Sequence, residues 1–374
     1  MSLPRRLRLA VLVPLLHAAP AVSAAPGVVA DPATQGSPAP FHAPGRSVAL
    51  EDGRLRYQWP GQYFQVRFRG QEVLFDLGPG EVILHVEADG QVLASLSRPA
   101  PGRYRVTGLE PGTHEVTLKL ATESQAGANV FAGFRLPAGA IALPPQPRPR
   151  QVEFIGDSHT VGYGSRSSQR ECSQEQVWES TDTTLAYGPL LAARLGADYQ
   201  VNAISGRGIV RNYNGFAAAP LPEAYRWALL DPGTPVAVAE AWQPRLVVVA
   251  LGTNDFSTAL NPGEPWADRQ ALRDAWVERY VQFVGELRQR YPQAQLVLWS
   301  TDLFEGEIGD QLARVEARLR QAGEQRLSRL VIAGLAMDAC HAHPSRADHE
   351  RIADLLEAHV RGLGLGWDAP AGKP

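Results

Sequence analysis

The feature that most constrains this 374-residue chain is a change of hydrophobic rhythm across the proline-rich stretch 143–150, Leu-Pro-Pro-Gln-Pro-Arg-Pro-Arg. Before it, apolar and polar residues alternate at a period of two, as in Tyr63-Phe64-Gln65-Val66-Arg67-Phe68-Arg69 and His114-Glu115-Val116-Thr117-Leu118. That period lines up apolar side chains on one face of a strand. Further strands are expected at 82–86 and 104–106, with turn signals at Glu51-Asp52-Gly53, Asp89-Gly90 and Pro111-Gly112. No amphipathic helix pattern interrupts them, which predicts an all-β sandwich (a jelly roll) over 45–140. After the prolines the rhythm becomes strand then helix. Strands are expected at 152–155, 199–204, 245–251, 295–300 and 329–333, and helices at 185–195, 269–290 and 311–321. A last helix opens at Pro344-Ser345-x-x-Asp348, a proline stop, an N-cap and an acid three residues on, and runs to about Gly362. Such alternation implies a parallel sheet with helices on both faces, a three-layer α/β domain over 151–365. Residues 141–150 should be an extended, semi-rigid linker between the two domains.

Residues 1–24 have the marks of a secretory signal: Arg5, Arg6 and Arg8, an apolar stretch over 9–16, and Val22-Ser23-Ala24 before Ala25. Pro14, His17 and Pro20 interrupt the stretch, which is too short to span a bilayer. Residues 25–44 are rich in Pro, Ala and Gly without periodicity and are expected to be a flexible leader, and 366–374 a short tail. A net charge of −3 with balanced acids and bases points to neither nucleic acid nor an anionic membrane. The expectation is a secreted or periplasmic protein with no membrane segment after cleavage. In an oxidising compartment Cys172 and Cys340 are expected to pair as a disulfide. The one metal-like cluster is Cys340-His341-x-His343, and a single short segment cannot easily aim all its ligands at one ion, so no metal is assigned.

Within the second domain, Phe154-Ile155-Gly156-Asp157-Ser158 delivers a serine at the end of a buried strand, where open α/β sheets carry their sites. Alone, Gly-Asp-Ser is an ordinary turn and cap. Its company gives it meaning: Asn202-Ala-Ile-Ser-Gly206, Gly252-Thr-Asn254-Asp255 and His343-Pro344. A serine nucleophile needs a base to take its proton, and His343 is the candidate. The oxyanion of acyl transfer needs preorganised donors, available from the Ser158 and Gly206 backbone N–H groups and the Asn254 amide. Each part follows an apolar run, so all would emerge on one edge of one sheet.

The order Ser158, Gly206, Asn254, His343 resembles the four blocks of the SGNH hydrolases. The preceding sandwich, the Pro-rich spacer, Glu153-Phe154-Ile155-Gly156-Asp157-Ser158, Gly162-Tyr163-Gly164, Trp59-Pro60-Gly61, Ala197-Asp198-Tyr199 and Ser205-Gly206-Arg207-Gly208 closely resemble carbohydrate esterase family 2. The resemblance covers nearly all of the chain after the signal. It implies removal of acetyl groups from polysaccharides such as xylan and mannan or from small acetylated sugars. It also implies a nucleophile at Ser158, oxyanion donors at Gly206 and Asn254, and a base at His343. No metal or organic cofactor is implied.

Two departures stand out. His159 follows the nucleophile and is expected to face solvent or a loop. The triad acid of the SGNH pattern, Asp-x-x-His, would put Cys340 where the carboxylate belongs, whereas Asp338-Ala-Cys-His341 fits the pattern literally and would make His341 the base. His343 is preferred because His-Pro before an N-capped helix is the setting the family uses. Its ring would then be oriented by Asp338 or by a backbone carbonyl, as in family members that work with a Ser–His dyad. Among Tyr213, Trp242, Trp266 and Phe304, Tyr213 is the expected sugar contact, while Trp59 is expected in the sandwich core. Rival functions are a lipid ester or thioester hydrolase of the GDSL type, which the polar Arg166, Arg170, Arg207 and Arg211 loops disfavour, and a carbohydrate-binding protein using the sandwich.

Overall fold

The structure is a computed structural model, and it describes residues 25–236 and 242–367. The signal-like segment 1–24 lies outside the described residues.

The first domain is a sandwich of two antiparallel sheets, one of seven strands and one of six. Its alternation works as expected. In Tyr63–Gly70, Phe64, Val66 and Phe68 point into the sandwich core with Phe75, Val86, Val116, Leu118, Phe131 and Phe134. Burying such a side chain contributes about 1.5–3 kcal/mol. Residues 25–44 depart from the expected flexible leader. Gly27–Ala30 pairs with Gly102–Thr107, Ser37–Ala39 with Asn129–Leu136, and Phe41–His42 with Tyr63–Gly70. The Phe41 ring explains the last pairing, since it packs edge-on against Phe64, Phe131 and Phe134. The linker is also shorter than expected, because Ile141–Leu143 extends the second sheet along Tyr63–Gly70 and Arg150 already begins the next strand.

The second domain has a five-stranded parallel sheet in the order Ala197–Ala203, Arg150–Gly156, Leu246–Ala250, Gln295–Thr301, Leu327–Ile332. Every residue of Leu246–Ala250 is buried, as a central parallel strand covered on both faces requires. Arg269–Arg290 and Glu307–Gln321 cover one face through Trp276, Phe283 and Leu312, and Tyr187–Leu195 and Arg346–Arg361 cover the other through Leu191, Ile352 and Leu356. Ser345 and Asp348 cap the last helix reciprocally, as the sequence predicted. Trp367, expected in a free tail, is buried on the second face.

The domains are joined by polar bonds as well as by the linker. Tyr63 donates to Asp198 (2.6 Å), whose other oxygen meets His42 (2.8 Å). His85 meets Asp182 (3.0 Å), and Arg46 meets the fully buried Glu153 (3.3 Å). Trp59 belongs to this contact, not to the sandwich core. It packs with Ile155, Tyr225 and Val247 of the second domain, and its indole N–H donates to the Trp227 carbonyl.

Candidate active site

The strands Arg150–Gly156, Ala197–Ala203 and Leu246–Ala250 end level, with Gly156 opposite both Ala203 and Ala250. From that edge the chain turns directly into the one-turn helix Ser158–Val161. A Cβ on Gly156 would stand 1.9 Å from Thr160 Oγ1, so only glycine permits the turn. Asp157 caps it, accepting from His159 N–H (3.0 Å). Ser158 is thereby held at the sheet edge.

His343 reaches it from the far end of the sequence, its Nε2 lying 2.8 Å from Ser158 Oγ. Its Nδ1 faces the carbonyl oxygens of Cys340 (3.0 Å) and His341 (3.2 Å). Carbonyls only accept, so Nδ1 carries the proton and Nε2 accepts from the Ser158 hydroxyl. A tight turn makes the two carbonyls converge: His341 and Ala342 have φ of 53° and 58°, and Ala339 N–H donates back to the His343 carbonyl. Asp338 is exposed, and among the described residues Nδ1 has carbonyls and no carboxylate as its hydrogen-bond partners. His341 points elsewhere, its ring bonded to the Cys172 carbonyl (2.9 Å) and the Tyr163 hydroxyl (3.1 Å).

Two further rings enclose His343. Tyr163 lies over it at 4.4 Å between centroids, and His159 meets it edge-on at 5.4 Å. His159 is therefore not the solvent-facing residue expected. It is buried, because its one-turn helix packs directly against the histidine loop. Burial pushes His343 down to about 4, outweighing the two carbonyls that favour its charged form. Burial likewise holds His159 well below the usual histidine range.

The second block supplies Gly206, whose φ of 82° suits glycine. Among the described residues, its N–H and that of Ser158 have no protein acceptor. Asn254 is brought to the same rim, donating from Nδ2 to the Arg207 carbonyl (2.8 Å) and to Asp157 (3.1 Å). Beyond Gly206, the buried Asp255 gathers the N–H groups of Ile209, Val210 and Arg211 at 2.9 Å each. Burial lifts Asp157 to about 7 and Asp255 to about 6. Arg211, counted in the sequence with the polar Arg-bearing loops, is buried and paired with Glu264 (2.7 Å). Sequence reasoning gave no role to Tyr163 or Asp255. Asp255, directly after Asn254, carried a local signal in its adjacency; Tyr163 carried only its place in Gly-Tyr-Gly.

Of the aromatic candidates, Tyr213 is 53 % exposed, in the turn whose N–H bonds the Gly206 carbonyl. Phe216, not singled out in the sequence, is 42 % exposed beside it under the Arg207 guanidinium. Trp242 is buried in the core, and Trp266 and Phe304 pack against it. Cys172 and Cys340 form a disulfide, fastening the loop that follows Ser158 to the turn that carries His343. With both sulfurs joined, Cys340 offers no thiolate to a metal.

Comparison with known proteins agrees with this anatomy. Residues 43–146 match the carbohydrate esterase 2 N-terminal family, and residues 154–360 match the GDSL-like lipase/acylhydrolase family. An acetylxylan esterase / glucomannan deacetylase of Cellvibrio japonicus is 39% identical over 327 residues, 86% of this chain and 91% of that protein. Among solved structures, a carbohydrate esterase described as having divergent catalytic and non-catalytic binding functions in its active site superposes with a TM-score of 0.84. It is 37% identical and covers 88% of this chain and 100% of its own. A family two carbohydrate esterase from Clostridium thermocellum, in complex with cellohexaose, superposes with a TM-score of 0.76 at 25% identity, over 88% of this chain and 100% of its own. The protein belongs to carbohydrate esterase family 2, a carboxylic ester hydrolase with a GDSL-type catalytic domain behind a β-sandwich.

Proposed function

We propose that the protein is an exported serine esterase that removes O-acetyl groups from polysaccharides or oligosaccharides of the xylan and glucomannan type, through an acetyl-enzyme on Ser158. The observation that carries this reading is the 2.8 Å contact between His343 Nε2 and Ser158 Oγ beside two unclaimed backbone N–H groups.

Ser158 Oγ attacks the acetyl carbonyl while Nε2 takes its proton. The imidazolium is supported by Nδ1–H donating to the Cys340 and His341 carbonyls and by the face of Tyr163. Negative charge on the carbonyl oxygen meets Ser158 N–H and Gly206 N–H. Asn254 adds a third donor by releasing its longer bond, the one to Asp157. Collapse breaks the ester C–O bond, and Nε2 returns the proton to the departing sugar oxygen. Water then attacks the acetyl-enzyme with His343 again as base, releasing acetate and restoring the serine.

Tyr213 and Phe216 give the rim exposed aromatic faces suited to stacking on a pyranose ring. The names of the Cellvibrio relative support acetylated xylan or glucomannan as the substrate class. Export is supported by the signal-like sequence of 1–24 and by a disulfide that an oxidising compartment preserves. Among the described residues no helix is long and apolar enough to cross a membrane.

The test is acetate release from acetylated xylan and glucomannan, with p-nitrophenyl esters of rising chain length beside them. Acetyl esters should be cleaved far better than butyryl or longer ones, and Ser158→Ala should lose on the order of 10³-fold or more. Equal kcat/KM on acetyl and octanoyl esters would move the assignment to a lipolytic enzyme. A Ser158→Ala variant retaining a tenth of the rate would end the serine mechanism.

A further inference from the structure

The Gly206 N–H is one half of the Ser205–Gly206 peptide, and the carbonyl of that peptide points the opposite way because the bond is trans. Whatever holds the Ser205 carbonyl therefore aims the Gly206 N–H. The holder is not in the catalytic domain. Gln125, from the sandwich loop that follows Gly112–Leu120, donates from Nε2 to the Ser205 carbonyl at 3.2 Å. The same Nε2 donates to Glu123 Oε1 at 3.0 Å, and that oxygen also accepts the Ser205 N–H at 2.7 Å. One short sandwich segment thus grips both backbone groups of Ser205.

That segment is itself fixed. Thr122 Oγ1 accepts from Ile83 N–H (3.1 Å), the Ser124 carbonyl accepts from Gln58 (3.0 Å), and the Ala121 carbonyl accepts from Thr183 N–H across the domain boundary (2.8 Å). The catalytic domain restrains the loop on the other side of Gly206, where Asn254 holds the Arg207 carbonyl and Asp255 holds the N–H groups of 209–211. Without the sandwich, the peptide ahead of Gly206 has no side-chain restraint among the described residues, and a glycine at φ 82° tolerates rotation of that peptide readily. A rotated peptide would present a carbonyl oxygen to the developing oxyanion in place of a donor.

We propose that Glu123 and Gln125 are positioning residues: a clamp through which the β-sandwich orients the Ser205–Gly206 peptide and so completes the oxyanion site. This rests on the serine mechanism proposed above. It assigns the N-terminal domain a part in the chemical step, separate from any part in holding polysaccharide.

The test uses the full chain with Gln125→Ala, Glu123→Ala, Glu123→Gln and Ser158→Ala, measured for kcat and KM on a soluble acetyl ester and for melting temperature. Removing an oxyanion donor outright costs about 10²–10³ in kcat. Loosening one should cost about tenfold or more, with KM within about threefold and the melting temperature little changed for Gln125→Ala, whose side chain is exposed. Glu123→Gln keeps an oxygen that can accept the Ser205 N–H, so it should recover most of what Glu123→Ala loses. Inactivation by a sulfonyl fluoride, which also loads negative oxygen into the site, should slow in parallel with kcat. If Glu123→Ala does not fold, Gln125→Ala decides alone. Wild-type kcat and inactivation rate in Gln125→Ala, with Ser158→Ala silent, would overturn the clamp and leave the serine mechanism standing. Activity in Ser158→Ala would overturn both.

Discussion

Lowering the pH should reveal how His343 is held. In the serine mechanism proposed above His343 must be neutral to accept the serine proton, so kcat/KM should fall as the ring protonates in the free enzyme. The usual histidine value is about 6.5, which would leave roughly 3 % of rings neutral and competent at pH 5, about 1.5 units lower. Burial instead sets His343 at about 4. Roughly 90 % of rings then remain neutral at pH 5, a difference of about thirtyfold in rate at that pH. The sign follows from the ring's partners: two backbone carbonyls favour the imidazolium, but neither carries a full charge, and they do not offset the loss of water around the ring. The assay is acetate release from a soluble acetyl ester at substrate far below KM, between pH 4 and 9, after confirming that the enzyme survives each preincubation. An acid limb centred near pH 6.5 would refute this account and call for a carboxylate near the ring.

The same reasoning predicts acid-sensitive stability at His349, which is fully buried, accepts from Tyr187 N–H at Nδ1 and is pushed by burial to about 4. Its folded value lies below its unfolded one, so stability is complete above about pH 6.5 and drains away as pH falls toward 4, by about 3 kcal/mol at 1.36 kcal/mol per unit. Urea denaturation of His349→Gln should show a flatter pH dependence than wild type across that window; identical curves would reject it. His343→Ala should lose on the order of 10³-fold in kcat, whereas Asp338→Asn and His341→Ala should stay within a few-fold, since the His341 ring does not bond the His343 ring and only adds to a turn that the disulfide and the Arg170 carbonyl also hold. A large loss in Asp338→Asn would contradict the carbonyl-held ring. Opening the Cys172–Cys340 disulfide should cost about 2–5 kcal/mol in stability and lower kcat as well. Alkylation of both thiols without reductant, in protein from the exported fraction, would count against the bridge.

What the sequence disclosed and what it hid separate along a physical line. Strands such as Leu246–Ala250 were legible because a parallel strand buried on both faces must be a continuous apolar run. Arg346–Arg361 was legible from its cap. Helix Glu307–Gln321 begins four residues earlier than the expected 311, because its buried first-turn residue Ile308 follows Gly306 in a left-handed turn that obscures the periodicity. Residues 25–44 were misread because short edge strands need few apolar residues, here Val28, Ala39, Phe41 and Ala43, set at no regular spacing. The blocks around Ser158, Gly206, Asn254 and His343 were visible because each is local. Contacts that join distant segments were not: Glu123 meets Ser205 across 82 residues and Tyr163 meets His341 across 178, and no pattern within either segment announces its partner.

The missing carboxylate at His343 has a structural counterpart in the disulfide. A carboxylate in the usual triad both orients the ring and stabilises its charged form. Here the first task falls to carbonyls, which are useful only if the turn that carries them is rigid. That turn contains His341 and Ala342 in the left-handed region, which non-glycine residues leave readily when unrestrained. Restraint comes from the Cys172–Cys340 bridge, from the Arg170 carbonyl accepting His341 N–H, and from the His341 ring, which ties Tyr163 to the Cys172 carbonyl. On the far side, Asp348 accepts the N–H groups of Ala336 and Met337 and closes the loop onto the last helix. The second task, charge stabilisation, is left to Tyr163 and the carbonyl dipoles and is only partly met, as the lowered pKa of His343 records. A base held this way is weaker than a triad histidine but stays neutral further into acid.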